Sequence, residues 1–308
     1  MKACDKCGKN AVTFIRYSGA HLCKLHLTEF VEKRVKKELR KQFKLERDEV
    51  FAVALSGGKD SVVAMHILNN ILEERKDTEI HAICVNEGIS DYRPESMEFA
   101  KKNCELMDIP LHIVSFKDAV DITMDDISKL PIKTTPCSYC GVFRRKCLNM
   151  KAKELNATRL ATGLNLDDTA QSILMNIMRG DIAKLARLGP HERVQEGLVP
   201  RIQPLRLIPE KESYLYAMLN RIEFYHGECP YSERAQRGRF RDIINNLEKD
   251  TPGTRHALLQ SYDSISDALL KSFPPAKLLK CKDCGEPTLS KICKSCSMIK
   301  EIKAIAKT

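Results

Sequence analysis

The chain has 308 residues, 30% of them charged and 43% hydrophobic, a balance that excludes a disordered or fibrous polypeptide. No apolar run approaches the length of a membrane span, and the start, Met1-Lys2-Ala3-Cys4, lacks the apolar stretch of a secretory leader, so a soluble, cytoplasmic protein without a membrane partner is expected. The 51 basic and 41 acidic residues leave a net +10, which favours a polyanionic partner such as RNA, and 13 cysteines in such a compartment point to metal ligands or reactive thiols rather than disulfides.

Residues 1–26 carry Cys4-x2-Cys7 and, after a short loop, Cys23-x2-His26. Two close pairs of soft ligands suit a tetrahedral zinc, and the metal replaces a core that so short a segment cannot build. All four positions are filled, so a structural site is expected. Residues 27–47 predict a helix with Phe30, Val31, Val35, Leu39 and Phe43 on one face and Lys33, Arg34, Lys36, Lys37, Arg40, Lys41, Lys44 and Arg47 on the other. That basic face reads either as an RNA-contacting arm or as a solvated helix surface.

Val50-Phe51-Ala52-Val53-Ala54-Leu55 reads as a buried parallel strand, and Val62 to Leu68 as the start of a helix with Ser61 near its cap. Between them lies Ser56-Gly57-Gly58-Lys59-Asp60-Ser61. Strand, glycine turn and helix make an anion seat: the glycines let backbone N–H groups approach a phosphate, and the helix start adds positive potential. Asp60 stands where a Walker A loop needs Ser or Thr, and no G-x-G-x-x-G is present, so neither of those two phosphate loops applies.

Further strands are predicted at Ile80–Val85, Leu111–Phe116 and Thr158–Gly163, with helices over Pro94–Met107 and from Val142 to Leu155. Repeated strand and helix units imply a doubly wound parallel α/β sheet with its ligands at the carboxyl ends of the strands. That rim would hold Ser56 to Ser61, Val85 to Glu87 and Gly163 to Asp168. Asp167 and Asp168, at the mouth of a helix, suit magnesium or proton handling beside a triphosphate, or simple N-capping. Cys137-x2-Cys140 and the distant Cys229 have loop-like surroundings; the pair alone could be redox-active or half a metal site. Residues 210–250 read as largely helical, with Arg234, Arg237, Arg239 and Arg241 offering a phosphate-gripping patch. Cys281-x2-Cys284-x8-Cys293-x2-Cys296 predicts a second, four-cysteine zinc module after the Phe273-Pro274-Pro275 linker. The expected organisation is a zinc module with its basic helix at 1–47, a catalytic domain at 48–250, a helical linker at 251–275 and a zinc ribbon at 276–308.

The strings SGGKDS, TPCSYCGVFRR, ATGLNLDDTAQSILMN, IMRGD, ECPYS and QRGRFRD together resemble the tRNA 2-thiolation group of the PP-loop ATP pyrophosphatase superfamily. That group contains TtuA, the archaeal NcsA proteins and the eukaryotic cytoplasmic tRNA 2-thiolation protein. The resemblance runs from end to end, and the CGVFRR and IMRGD stretches lie nearer the wobble-uridine enzymes than the T-loop enzymes. One departure is Leu164, where the group usually has His.

The resemblance implies an ATP site at Ala54, Leu55, Ser56, Gly57, Gly58, Lys59, Asp60 and Ser61, with Val85 and Gly163 near the adenosine. It implies a 4Fe-4S cluster on Cys137, Cys140 and Cys229, with Asp168 and Lys59 serving catalysis. Arg144 takes the place of a basic catalytic residue that is lysine in some relatives. ATP with magnesium would adenylate the uridine C2 oxygen, pyrophosphate would leave, and sulfur would displace AMP. The alternative route uses a persulfide on one of the three cysteines in place of a cluster. Sulfide or a ubiquitin-like carrier is the implied sulfur donor, tRNA the substrate and a homodimer the assembly.

Overall fold

The computed structural model describes residues 2–190, 195–232 and 237–305. A small antiparallel hairpin, β1 (Thr13–Ile15) and β2 (Ala20–Leu22), leads into α1 (Lys24–Gln42). The central body follows as β3 (Glu49–Ala54), α2 (Lys59–Leu72), β4 (Thr78–Asn86), α3 (Arg93–Leu106) and β5 (Leu111–Ser115). Two short helices, α4 (Phe116–Val120) and α5 (Met124–Lys129), precede α6 (Pro136–Glu154), β6 (Arg159–Thr162), α7 (Leu166–Met178), α8 (Ile182–Leu185), β7 (Arg201–Ile202) and α9 (Glu210–Leu219). Then come α10 (Arg237–Asp250), α11 (Thr254–Ser272), the hairpin β8 (Leu279–Lys280) with β9 (Pro287–Thr288), and α12 (Lys294–Ile305).

The central sheet runs β5-β4-β3-β6-β7, all parallel. The order reverses between β3 and β6, which opens a crevice at the carboxyl ends of those strands. Alternate residues of the inner strands feed two separate cores. Phe51, Val53, Ala82 and Cys84 face α1, α2 and α3, whereas Ala52, Ile83, Val85 and Leu160 face α4, α5, α6 and α12. Because both faces are covered, these strands are apolar throughout rather than alternating. Each fully buried Val, Ile or Leu contributes about 1.5–3 kcal/mol, so the two cores hold the rim rigidly.

The predicted helix at 27–47 begins at Lys24 and ends at Gln42, and α1 is no free arm. Leu27, Val31, Val35 and Leu39 lie in the same core as Phe51 and Met65. Arg34 turns inward, where it faces Glu212 and donates to Leu207 O at 2.8 Å; the other basic residues named on that face remain exposed. The last helix, α12, buries Met298 and Ile302 against α6, and Glu286 of the ribbon accepts from Asn149 Nδ2 at 3.1 Å. No helix among the described residues is long and apolar enough to cross a membrane.

Two predicted boundaries moved for identifiable reasons, and one predicted helical stretch is interrupted. α2 starts at Lys59 instead of near Ser61, because Gly58 takes the cap position in an extended conformation. α6 starts at Pro136 instead of Val142, since proline at the first helical position needs no N–H partner and brings φ pre-set. β7, two residues long, carries no periodic signal, and residues 220–232 are not helical.

Candidate active site

The loop after β3 is shaped by its glycines and closed by its serines. Gly57 sits at φ +83°, and a Cβ there would lie 1.8 Å from the Ser96 carbonyl oxygen. Its own carbonyl accepts from Tyr225 N at 2.9 Å. Ser61 Oγ donates to Gly58 O (2.8 Å) and accepts from Ser56 N (3.0 Å), while Gly58 N points at Ser56 Oγ (3.3 Å). The turn therefore enters α2 with that helix's first N–H groups facing the crevice, where the dipole favours an anion. Lys59 Nζ lies 2.8 Å from Asp60 Oδ1 and 3.6 Å from Glu210 Oε1, so its cation is held at the loop rather than in solvent. Asp60 is fixed in turn by Ser213 Oγ (2.6 Å) and Asn165 Nδ2 (3.1 Å).

Ala54, Leu55 and Val85 stand at the ends of β3 and β4 beside this loop, and Gly163 closes it from β6. A Cβ on Gly163 would meet Ser61 N at 2.7 Å and the Asp60 carbonyl carbon at 2.8 Å, so only glycine lets the two segments approach. Arg93, buried, stitches the neighbouring strand end to the loop by donating to Val85 O (2.7 Å) and Ser56 O (2.9 Å). Of the eleven residues expected around a nucleotide, these ten line one rim, and the eleventh, Asp168, stands in the first turn of α7 after β6.

The two aspartates at the start of α7 part company. Asn165, rather than either aspartate, caps the helix: its Oδ1 accepts from Asp168 N at 3.0 Å, and Asp168 Oδ2 accepts from Asn165 N at 3.4 Å. Asp168 then faces Arg237 Nη1 at 3.0 Å. Burial raises its pKa, Arg237 opposes this, and the nearby Asp60 carboxylate reinforces it. Asp167 points away, accepting from Glu210 N (2.8 Å) and pairing with Arg255, which makes it a brace between elements. Arg237 donates to Asp168 and Ser172 with 42% of its side chain still exposed; Arg239 and Arg241 are exposed, and Arg234 lies outside the described residues.

Cys137 and Cys140 occupy the first turns of α6, not a loop. The Cys137 thiol donates to Tyr231 O at 3.4 Å, which brings the Cys229–Tyr231 segment against the helix. That segment is pinned by the Tyr231 hydroxyl, 2.8 Å from Asp125 Oδ1 and 3.0 Å from Ser128 Oγ. Cys140 and Cys229 pack on the same apolar cluster. Burial pushes the Cys140 thiol up to about 11 against the pull of Arg144, and burial followed by the charge of Cys229 raises Cys137. The trio shares one neighbourhood, but it is not among the sets whose ligand atoms all close to within 4.8 Å. Cys4, Cys7, Cys23 and His26 do so, and so do Cys281, Cys284, Cys293 and Cys296, and both sets could hold a metal ion. In the second set the N–H groups of Cys293, Asp283 and Cys284 lower the Cys281 thiol to about 6, a donor arrangement that favours the thiolate a metal needs.

One residue that the sequence places on the rim without a role gains one from the structure. Glu87, just past β4, is 1% exposed and sits 2.7 Å from both Arg93 Nε and Arg144 Nη2. Arg144 Nη2 also donates to Cys140 Sγ at 3.2 Å. The available signal was its position at the carboxyl end of a strand; its burial between two arginines is a tertiary fact. Beside the thiols lies a cleft of about 880 Å³ lined by Lys133, Thr134, Cys137, Met175, Arg179 and Arg237.

The PP-loop domain family matches residues 28–248, and the N-terminal LIM domain of the 2-thiouridine synthetase TtuA matches residues 4–28. The tRNA 2-thiolation protein NcsA of Haloferax volcanii is 38% identical, covering 98% of this chain and 99% of that protein. The tRNA-5-methyluridine(54) 2-sulfurtransferase of Pyrococcus horikoshii is 32% identical over 95% of this chain and 92% of its own. The U34-tRNA thiolase NcsA from Methanococcus maripaludis, solved with its 4Fe-4S cluster, superposes with a TM-score of 0.86 at 36% identity, covering 98% of this chain and 96% of that one. The chain belongs to the PP-loop domain family and, within it, to the group of tRNA 2-thiolation proteins.

Proposed function

We propose that the chain is an ATP-dependent tRNA uridine 2-sulfurtransferase acting on the wobble uridine. The observation that carries this reading is the joining of an anion-seating loop to a trio of thiols through Arg93, Glu87 and Arg144. The likeness to the Methanococcus thiolase supports the wobble position.

ATP would lie along the rim with its phosphates on the Gly57–Ser61 turn and its adenosine against Val85 and Gly163. Lys59, held at the loop by Asp60 and Glu210, supplies the cation for the pyrophosphate. Asp60 and Asp168 are the carboxylates placed to hold magnesium. The uridine C2 oxygen attacks the α-phosphorus and pyrophosphate leaves; the oxygen, now bonded to phosphorus, is a good leaving group as AMP. Sulfur presented at the thiol trio bonds to C2, the C2–O bond breaks and AMP departs. A 4Fe-4S cluster on Cys137, Cys140 and Cys229 would leave one iron without a protein ligand and so supply that sulfur as sulfide. The two four-ligand sets are assigned to structural zinc, since each is complete without an open position.

The test is incubation of anaerobically prepared protein with ATP, magnesium, sulfide and unmodified tRNA, followed by nucleoside mass spectrometry. The reading expects 2-thiouridine that disappears when residue 34 of the tRNA is changed. Product that persists in that transcript would refute the wobble assignment, and no product at all would refute the reaction.

A further inference from the structure

Glu87 has no part in the chemistry set out above, yet it is the most buried acid at the site. Its Oε1 faces both guanidiniums, Arg144 Nη2 at 2.7 Å and Arg93 Nη2, which donates to it at 3.3 Å, while its Oε2 lies 2.7 Å from Arg93 Nε without a hydrogen bond, that N–H going to Val85 O. Arg93 is 3% exposed and ends on main-chain oxygens of the nucleotide rim, Val85 O and Ser56 O. Arg144 is 47% exposed and lies one helical turn beyond Cys140, on the same face of α6, with its Nη2 at 3.2 Å from that sulfur. A half-exposed arginine would otherwise sample many rotamers in solvent.

We propose that Glu87 is a positioning residue: it fixes the Arg144 guanidinium over Cys140 and ties that cation, through Arg93, to the loop that seats the nucleotide. The inference rests on the reading above that Cys140 belongs to the sulfur-transfer site. Two arginines facing one acid explain why a charged group is kept where an apolar side chain could pack. Removing the acid leaves Arg93 buried beside a second cation and releases Arg144 toward solvent. The path is short, charge-assisted and made of side chains with few alternative positions.

The test is a cycle on the full-length protein. Glu87→Gln and Glu87→Asp are made in the native chain and in Arg144→Met. Groups that orient metal-site residues typically matter by about 10- to 100-fold. Glu87→Gln is therefore expected to slow single-turnover thiolation by that factor, with most of the rate restored by Glu87→Asp. Affinity for ATP, measured by calorimetry on iron-free protein, is expected to stay within about threefold, because Arg93 keeps its main-chain acceptors. In the Arg144→Met background Glu87→Gln should change the rate by no more than about twofold, the mark of two residues acting as one unit. Independently of turnover, phenylglyoxal modification resolved by peptide mass spectrometry should proceed several-fold faster at Arg144 in Glu87→Gln, with exposed Arg239 unchanged as the reference. Equal losses in both backgrounds, or unaltered Arg144 reactivity, would overturn the proposal. If Glu87→Gln does not fold, Glu87→Asp decides by the modification experiment alone: its carboxylate ends one methylene short of Arg144, so Arg144 should react faster than in the native chain, and an unaltered rate would overturn the proposal. A native chain that makes no 2-thiouridine defeats the functional reading, while the modification experiment still judges Glu87.

Discussion

Gly57 and Gly58 are neighbours in the same turn, but replacing each by alanine should fail in a different way. Gly57 is left-handed at φ +83°, and its absent Cβ would fall 1.8 Å from the Ser96 carbonyl oxygen. A left-handed alanine costs about 1–2 kcal/mol, and forcing a methyl into a filled space about 1–3 kcal/mol more. Gly57→Ala should therefore lose about 2–5 kcal/mol of stability, which at about 1.5 °C per kcal/mol for 308 residues lowers the melting temperature by roughly 3–8 °C. Gly58 has extended backbone open to any residue, and its nearest neighbour to a new Cβ would be Ser56 Oγ at 3.5 Å, an ordinary contact. Gly58→Ala should melt within about 2 °C of the native chain. Its methyl would instead obstruct the approach of a phosphate to the backbone N–H groups. Losing one charge-assisted bond of about 1.5–3 kcal/mol weakens ATP binding by about 10- to 100-fold. Differential scanning fluorimetry and calorimetry with ATP read the two effects separately. Native-like ATP affinity in Gly58→Ala would refute the assignment of this turn as the phosphate seat.

Lys59→Ala should abolish thiolation while far-ultraviolet circular dichroism stays native; retained activity would remove lysine from the pyrophosphate role. Cys281→Ser should lower zinc from two to one per chain by elemental analysis and reduce thermal stability, whereas an unchanged zinc count would break the ligand assignment. His256 lies tilted against the Tyr17 ring and contacts Arg34, and burial, aided by Arg34, lowers its pKa to about 4. Unfolded, the imidazole takes a proton near pH 6.5, roughly the usual value. Between those pH values the unfolded state binds the extra proton, so stability falls as pH drops through the window and levels off below it. Urea titrations of His256→Gln should show a flatter acid limb over that range, and an unchanged slope would contradict it. Raising salt should weaken tRNA binding with a steep log–log slope, about −0.7 to −0.9 for each phosphate contacted; a flat response would exclude the exposed lysines of α1 and Arg239 and Arg241 as contacts.

What could be read from the order of residues was whatever is local in its physics. The strand, glycine turn and helix around Ser56–Ser61 lie within a few residues of one another, and the parallel sheet follows from apolar runs spaced by helices. The two metal sets were legible because paired ligands declare themselves by spacing. Cys229 beside Cys137 and Cys140 followed from resemblance alone, since nothing local joins them; Tyr231, through Ser128 and Asp125, does so in space. Charged groups resisted prediction most. Arg34 looks solvated in sequence, but Glu212 from a distant element turns it inward, and Arg237, though partly exposed, is tied to Asp168. Glu87 looks like an ordinary surface acid until two arginines close over it. The segment before Val142 reads as loop in sequence, yet Pro136 opens the helix there. Leu164, where relatives usually have histidine, is 40% exposed, so the change sits at the surface beside the capped start of α7.

The grip of the terminal ribbon on α6 has a consequence for the order of events in a growing chain. The helix that carries the first two thiols emerges early, its third sulfur follows some ninety residues later (about 92 by position), and the flank holding Met298 and Ile302 comes at the very end. A chain that stops short of α12 leaves Tyr139 and Phe143 without the cover of Met298 and Ile302, so the core behind the first two thiols closes only when that helix docks.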